Sequence, residues 1–225
     1  MPFTEGYFYG KMSTNVPWRE ERLLVRSCIL MGGPRREGNT AALLAPFLEE
    51  CEALGVETKT VWLYDEDIAP CQGCMGCQDR LDGPGCVQED GFAEIFQAMA
   101  ASDVIVLATP IYAFFCTAPM KALLDRAIYA GTKNYGRVKG PKLLAGKRVV
   151  SVTTCGYPPE KGAGLWEEGL KRFCRHGGLE YLGMFCRQDR GGPEPFLDED
   201  RELAVRDFAR AMVLAVRADQ MAESI

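Results

Sequence analysis

Four cysteines are concentrated in the segment PCQGCMGCQDRLDGPGC, which runs from residue 70 to residue 86. They follow the spacing C-x2-C-x2-C-x8-C, at Cys71, Cys74, Cys77 and Cys86. Thiols stay reduced in the cytoplasm, where a tight group of cysteines binds metal, holds a cluster or does redox chemistry more often than it forms disulfides. The spacing therefore predicts a site of that kind.

The other six cysteines are scattered along the chain, and four of them have apolar neighbours. Free cysteine is among the residues most often buried in protein cores. We therefore interpret these six as small buried residues: Cys28, Cys51, Cys116, Cys155, Cys174 and Cys186.

Composition restricts the class of partner. The chain has 225 residues, with 26 basic and 31 acidic side chains and a formal charge of −5. It has no cluster of Lys and Arg, which argues against nucleic acid or an anionic membrane as the main partner. The first residues lack the apolar run of a signal peptide, and no apolar stretch reaches membrane-spanning length. We expect a cytoplasmic protein.

Short apolar runs alternate with amphipathic segments. RLLVRSCILM is nearly all apolar and has strand length, as in a parallel strand covered on both faces, whereas NTAALLAPFLEECEAL repeats its apolar residues at helical intervals. The pattern predicts strands at 22–31, 56–63, 103–110, 147–154 and 179–186, and helices at 39–54, 89–102, 117–130, 162–178 and 199–222. Five strands alternating with helices predict one doubly wound α/β sheet.

The domain organisation follows from this alternation. No internal repeat or low-complexity linker interrupts it, so we predict one domain over residues 22–225, with the cysteine-rich loop at 70–88. Residues 1–21 form an N-terminal arm outside the pattern. Its aromatic residues suggest that it packs on something, such as a second subunit: Phe3, Tyr7, Phe8, Tyr9 and Trp18.

Ligands of such sheets bind at the carboxyl ends of the strands, which directs attention to three loops. The first loop, GGPRREGNT at 32–40, combines glycines for close backbone approach with the start of a helix. Asn39 or Thr40 is the expected N-cap, and free N–H groups at a helix start attract anions. The loop matches neither the dinucleotide fingerprint nor the Walker motif, so a plain turn is the alternative.

The second loop, TPIYAFFCTAPMKALLDR at 109–126, places a proline and three aromatics directly after a strand. Such a surface suits a planar ring system, although an aromatic packing loop is an equal alternative. The third loop, TTCGYPPEKG at 153–162, is small and polar. Together, three such loops on one edge favour a ligand with a phosphate and a ring.

Two of these segments resemble a known family. MGGPRREGNTAALL is similar to the G-S-P-R-x-x-x-N-T phosphate loop, and ATPIYAFFCTAPMKALLDR is similar to the [ST]-P-[IV]-Y…K-[AG]-x-[IL]-D-R segment, of NADPH-dependent FMN reductases and multimeric flavodoxin-like proteins. The cysteine loop resembles that of the iron–sulfur flavoprotein branch. The resemblance implies a flavodoxin-like fold with strand order 2-1-3-4-5.

The resemblance also implies a cofactor site for FMN. Its phosphate would be surrounded by Gly33, Pro34, Arg35, Asn39 and Thr40, its ring lined by Pro110, Ile111, Tyr112, Ala113 and Phe114, and its other edge met by Thr153, Thr154 and Gly156. Gly33 departs from the family, which usually has Ser there, and a backbone N–H could serve in place of the hydroxyl. We expect somewhat weaker FMN binding. Cys155 would lie near the flavin, where a small spacer is the simpler interpretation.

Four thiolates in a short loop suit a tetrahedral metal or a [4Fe–4S] cluster, and C-x2-C-x2-C is the compact arrangement that clusters use. Cys71, Cys74, Cys77 and Cys86 are the candidate ligands. Family members usually place the fourth cysteine fewer residues on than the x8 seen here, although Gly83, Pro84 and Gly85 favour a turn that would loop the extra residues out. Structural zinc, or redox-active thiols without metal, are the alternatives.

These features predict an FMN oxidoreductase that passes electrons between NADPH or NADH, or a ferredoxin, and an unknown acceptor through FMN and the cluster. A cluster-free NAD(P)H-dependent FMN or quinone reductase is one alternative, and a non-enzymatic electron carrier or redox sensor is another. A zinc-stabilised interaction module without flavin is a third. Relatives commonly form dimers or tetramers, so the resemblance implies a homodimer or homotetramer. His176 is interpreted as a helix-end or surface group rather than a catalyst.

Overall fold

The computed structural model of the protein describes residues 24–191 and 195–223. The predicted N-terminal arm, residues 1–21, lies outside the described residues. The strands are β1 (Val25–Met31), β2 (Val56–Trp62), β3 (Val104–Pro110), β4 (Arg148–Cys155) and β5 (Glu180–Gln188). The helices are α1 (Asn39–Ala53), α2 (Phe92–Ala101), α3 (Ala118–Gly131), α4 (Pro159–Gly162), α5 (Gly164–Gly177) and α6 (Glu199–Glu223).

The five strands form one parallel sheet in the order β2-β1-β3-β4-β5, which confirms the predicted strand order. The central strands are buried on both faces: β3 reads VIVLATP with only its last residue partly exposed, and β4 is buried throughout. Near-continuous apolar runs are what a parallel sheet requires, because helices cover both of its faces. The strands could therefore be predicted from the sequence as short apolar runs.

Two apolar layers hold the helices against the sheet. On one face α1 and α6 pack through Phe47, Phe208 and Met212. On the other face α2, α3 and α5 pack through Phe96, Leu123 and the similarly buried Leu170. Among the described helices, none is both long and apolar enough to cross a membrane.

The structure differs from the prediction at the boundaries of several elements. The helix predicted over 162–178 is observed as α5 (Gly164–Gly177), and a separate short helix, α4 (Pro159–Gly162), precedes it. Pro159 begins α4, because proline suits the first helical turn. The fifth strand continues to Gln188, beyond its predicted end at Cys186, and so carries the next residues to the carboxyl edge of the sheet. Gly38, rather than Asn39 or Thr40, is the N-cap of α1, so that prediction is wrong.

Candidate functional site

An open cleft lies at the carboxyl edge of the sheet, where the loops after β1, β3, β4 and β5 meet. Ten of the predicted cofactor-binding residues line it: Gly33, Pro34, Arg35, Asn39, Thr40, Pro110, Ile111, Tyr112, Thr154 and Gly156. Gly38, Cys155 and Asp189 line it as well. The topology therefore brings all three loops to one cleft, as expected for the point where strand order reverses.

The start of α1 faces this cleft without a capping side chain. Gly38 at the N-cap makes no side-chain hydrogen bond to the helix, and the first turn holds no acidic residue. Asn39 instead donates from Nδ2 to Asp189 Oδ2 at 2.7 Å, and the hydroxyls of Thr40 and Thr154 lie 2.7 Å apart. The N–H groups of the first helical turn are thus left for an anion, which the helix dipole also favours.

Gly32 and Gly33 of the first loop pack closely against neighbouring side chains. A Cβ at Gly32 would lie 2.9 Å from Thr117 Oγ1 and 3.2 Å from the Cβ of Met120. A Cβ at Gly33 would lie 3.0 Å from the Cε of Met31. A serine at position 33 would therefore require the end of the Met31 side chain to shift by a few tenths of an ångström.

The second loop makes a tight aromatic turn. Tyr112 and Phe115 exchange backbone hydrogen bonds of 2.9 and 3.0 Å, and between them Ala113 and Phe114 adopt positive φ values of 49° and 71°. Two consecutive non-glycine residues in the left-handed region are costly and are a feature of functional sites. The ring of Phe114 stacks on Tyr157 of the third loop, with centroids 6.1 Å apart and planes at 11°. Both rings are exposed.

Three predicted cofactor residues do not line the cleft itself. Thr153 has no exposed surface and donates its hydroxyl to the carbonyl of Phe185, so its side chain faces the core. Ala113 and Phe114 lie in the turn beside the cleft rather than in its wall. Asp189 was missed by sequence reasoning, which considered the loops after three strands and not the one after β5. Its position three residues after the predicted end of the fifth strand was the available signal.

Cys155 lines the cleft and contacts a second thiol behind it. Its Sγ lies 3.5 Å from Sγ of Cys186 on β5 and 2.9 Å from the carbonyl oxygen of Tyr157. The hydrogen bond with Cys186 lowers the pKa of Cys155 despite its burial. All six scattered cysteines are buried, as predicted. In contrast to Cys155, Cys174 has its pKa raised by burial to about 12.

The four clustered cysteines line a second cavity, on the flank of α3. Cys71, Cys74, Cys77 and Cys86 share it with the side chains of Met75, Val87 and Tyr129 and with other neighbours, none of them acidic: Gln72, Gly73, Gln88, Arg126 and Ala130. Cys74 is exposed, and the other three are partly buried. The longer x8 excursion therefore leaves Cys86 beside the first three cysteines.

The excursion from residue 78 to residue 85 is fastened to the end of α3. Lys133, which is fully buried, donates from Nζ to the carbonyls of Cys77 at 2.8 Å and Pro84 at 2.9 Å. These carbonyls stand at the two ends of the excursion. Gln78 donates to the carbonyls of Tyr129 and Thr132, and its Oε1 accepts from the N–H of residue 135. One lysine therefore closes the loop, and one glutamine anchors it.

Similarity to known proteins agrees with this geometry. The family model of NADPH-dependent FMN reductase matches residues 25–164. The chain belongs to the NADPH-dependent FMN reductase family. That segment contains all three loops of the cleft and the whole cysteine loop.

Curated relatives are called iron–sulfur flavoproteins. One from Methanosarcina thermophila is 36% identical over 106 residues, which is 47% of this chain and 54% of the relative. One from Archaeoglobus fulgidus is 32% identical over 142 residues, which is 63% of this chain and 60% of the relative. The chain thus spans about half to three-fifths of the length of these family members.

Solved structures of flavoproteins share the fold. The FMN-dependent NADH-azoreductase of Bacillus anthracis, solved in complex with FMN, superposes with a TM-score of 0.64 at 16% identity and covers 84% of this chain and 100% of its own. At this identity the likeness concerns the fold alone. It places the reductase-family chain among flavodoxin-like α/β proteins, as the sequence analysis predicted.

The cleft and the cysteine cavity are separate in this reductase-family chain. No described residue lines both. The cleft is lined from the loops at the carboxyl edge of the sheet and by no residue of α3, whereas the cysteines contact residues from Arg126 to Lys133, in the second half of α3 and just after it. The two sites are therefore built on different parts of the fold.

Proposed function

We propose that this chain is an FMN-dependent oxidoreductase that takes reducing equivalents from NADPH or NADH. One observation carries the proposal. The start of α1, which has no capping side chain, faces a cleft whose opposite wall includes Tyr112, where the aromatic turn begins. An anion site and Tyr112, the first residue of the aromatic turn, then line one cleft. Membership of the FMN reductase family supports the same cofactor.

The first loop supplies the phosphate site of this proposal. Backbone N–H groups at the start of α1 would donate to the phosphate, and the Thr40 hydroxyl would act together with Thr154. Arg35 lines the cleft and forms no ion pair within the described part of the chain, so its guanidinium is available to a phosphate. Gly33 would contribute its backbone N–H, since it has no hydroxyl.

The second and third loops supply the ring site. Pro110, Ile111 and Tyr112 would line the isoalloxazine, with Thr154 and Gly156 at its other edge. The Tyr112–Phe115 turn is held by its own backbone hydrogen bonds, so this wall is formed before a ligand binds. FMN, when bound, supplies hydride acceptance and one-electron transfer, and the residues of the cleft orient it and limit its contact with water.

We further propose that the four clustered cysteines bind a [4Fe–4S] cluster. The donor set fits this group, because four soft thiols line one cavity that no acidic side chain enters. The compact C-x2-C-x2-C spacing and the names of the curated relatives favour a cluster over a single zinc ion.

An anaerobic absorption spectrum with iron, sulfide and flavin analysis tests both parts. We expect one FMN per chain, a broad shoulder in the visible blue and about four irons per chain. Adding NADPH or NADH without oxygen should bleach the flavin bands, and an added quinone should restore them repeatedly. These results would support turnover with a small-molecule or protein acceptor.

Other outcomes separate the alternatives. Flavin without iron or sulfide would favour the cluster-free FMN or quinone reductase, whose cleft needs no part of the cysteine loop. Flavin that neither nucleotide reduces would favour an electron carrier or redox sensor with another donor. A colourless protein containing zinc would contradict the proposal.

Homo-oligomerisation is a separate proposal, which rests on the family resemblance. We propose a homodimer or homotetramer. The mass in solution, measured by light scattering on the full chain, tests it, and a monomeric mass at micromolar concentration would contradict it.

A further inference from the structure

A buried arginine contacts one of the four clustered cysteines directly. The side chain of Arg126 is 1% exposed, and its Nη2 lies 3.3 Å from Sγ of Cys86. Cys86 is the cysteine that eight residues separate from the other three. Cys86 is the cysteine whose position the short spacing constrains least, and it is the one that the guanidinium of Arg126 contacts.

The orientation of this guanidinium is fixed on several sides. Asp90 pairs with it through both carboxylate oxygens, with 2.8 Å between Nη2 and Oδ1. Nη1 also donates to the carbonyl of Ala69 at 3.1 Å, and the ring of Phe92 lies 4.3 Å from the guanidinium carbon. A bidentate pair stacked on an aromatic ring cannot rotate freely, so Nη2 stays directed at Cys86.

Asp90 in turn ties the arginine to the backbone around the cysteines. Its Oδ2 accepts from the N–H of Ala69, and its Oδ1 accepts from the N–H of Phe92 at the start of α2. Arginine is not deprotonated in proteins, and the carboxylate of Asp90 favours its charged form further. The guanidinium therefore stays charged beside the sulfur.

Stability alone is a weak explanation for such an arrangement. Apolar residues of similar size often replace a buried ion pair without loss of stability. A neutral thiol is a weak acceptor, whereas a thiolate accepts a charge-assisted hydrogen bond from arginine. The hydrogen bond from Arg126 is therefore strongest when Cys86 is a thiolate, as it is when it binds a metal.

We propose that Arg126 is a positioning residue of the cysteine site, which donates from Nη2 to Cys86 Sγ, holds that sulfur in the ligand set and raises the reduction potential of the bound cluster. The proposal rests on the cluster put forward under the proposed function. A donor to a ligand sulfur stabilises the more negatively charged, reduced form of a cluster. Losing the donor should therefore make the cluster harder to reduce.

Two variants remove the hydrogen bond in different ways. Arg126→Lys keeps the positive charge but lacks the planar fork that reaches Asp90 and Cys86 together. The double variant Arg126→Gln with Asp90→Asn removes both charges and leaves the net charge unchanged, which also avoids an unpaired buried carboxylate. Arg137→Gln is the matched control, because Arg137 is exposed and pairs with Asp79 of the same loop.

The midpoint potential of the cluster is measured by a dye-mediated titration of the anaerobic protein, followed by electron paramagnetic resonance, with iron and FMN per chain determined in parallel. We expect more negative potentials in the Arg126→Lys and double variants, and the wild-type potential in Arg137→Gln. FMN content reports folding in every sample. If the double variant binds no FMN, Arg126→Lys alone decides the result.

The outcomes distinguish this inference from the proposed function. Wild-type potential and iron content in Arg126→Lys would overturn the role of Arg126 and leave the cluster in place. An equal shift in Arg137→Gln would overturn it too, since any nearby charge would then have the same effect. Wild-type protein that takes up no iron and sulfide on anaerobic reconstitution would overturn this inference together with the proposed cluster, and would leave the proposed FMN site in place.

Discussion

The cleft and the cysteine cavity are built by different means. The cleft is made from the ends of β1, β3, β4 and β5 and the start of α1, so the regular backbone of the sheet positions it. Residues between β2 and α2 form the cysteine loop, which has no helix or strand of its own. Side chains from α3 and the segment after it hold that loop: Arg126 and Lys133.

This difference determines what each site tolerates. A site on strand ends inherits the rigidity of the core, and single side chains there adjust affinity. A site in an irregular loop depends on a few long-range hydrogen bonds, and losing one of them releases the loop. Cluster content should therefore respond more steeply to single substitutions than FMN content does.

Lys133→Met tests this contrast with the largest expected effect. The substitution leaves the carbonyls of Cys77 and Pro84 without their donor. Each buried acceptor left unpaired costs about 1–3 kcal/mol of stability. We expect iron per chain to fall by more than half while FMN per chain stays near wild type. Lys139→Met, at an exposed position of the same segment, is the control. Equal loss of FMN and iron in Lys133→Met would break the comparison.

Thr40→Val tests the other side of the comparison. The substitution keeps the shape of Thr40 but removes the hydroxyl that lies 2.7 Å from the Thr154 hydroxyl. A hydrogen bond to a charged group is worth about 1.5–3 kcal/mol, so FMN affinity should fall roughly tenfold to hundredfold. Fluorescence titration of the apoprotein with FMN measures it. Iron content should not change, and Thr58→Val on exposed β2 should change neither quantity.

Two glycines of the excursion offer a matched pair. Gly85 has a φ of +61°, and a Cβ there would lie 2.5 Å from Cβ of Arg80, whereas a Cβ at Gly83 would meet nothing within 4 Å. Left-handed backbone costs a non-glycine residue about 1–2 kcal/mol, so Gly85→Ala should open the loop roughly 5- to 30-fold more often. The rate of tryptic cleavage after Arg80 reports this opening. Gly83→Ala should be cleaved at the wild-type rate, and equal rates for both variants would contradict this account.

The same contrast explains what the sequence could predict. The sheet order and the cleft residues were accessible, because buried parallel strands produce apolar runs and ligands bind at their carboxyl ends. The cysteines were identified by spacing alone. Their supports were not, because Arg126 lies 40 residues from Cys86 and Lys133 lies 56 residues from Cys77, and no local pattern marks such pairs. Asp189 was missed since β5 runs past its predicted end.

The smallest expected effect concerns a thiol of the cleft rather than of the cysteine loop. The hydrogen bond with Cys186 lowers the pKa of Cys155, so removing that donor should raise the pKa and leave less thiolate at a given pH. We expect Cys186→Ala to slow iodoacetamide labelling of Cys155 at pH 8 by about threefold. Cys186→Ser keeps a donor and should stay close to wild type.

The pH profile of labelling separates charge from access. A cavity left by Cys186→Ala would speed labelling at every pH without moving the profile, whereas loss of the hydrogen bond moves the profile to higher pH. Peptide mass spectrometry of the apoprotein resolves Cys155 from Cys174, whose pKa of about 12 makes it the slow internal reference. An unmoved profile in Cys186→Ala would mean that the hydrogen bond with Cys186 does not lower the pKa of Cys155, and the contact between the two thiols would then be one of packing alone.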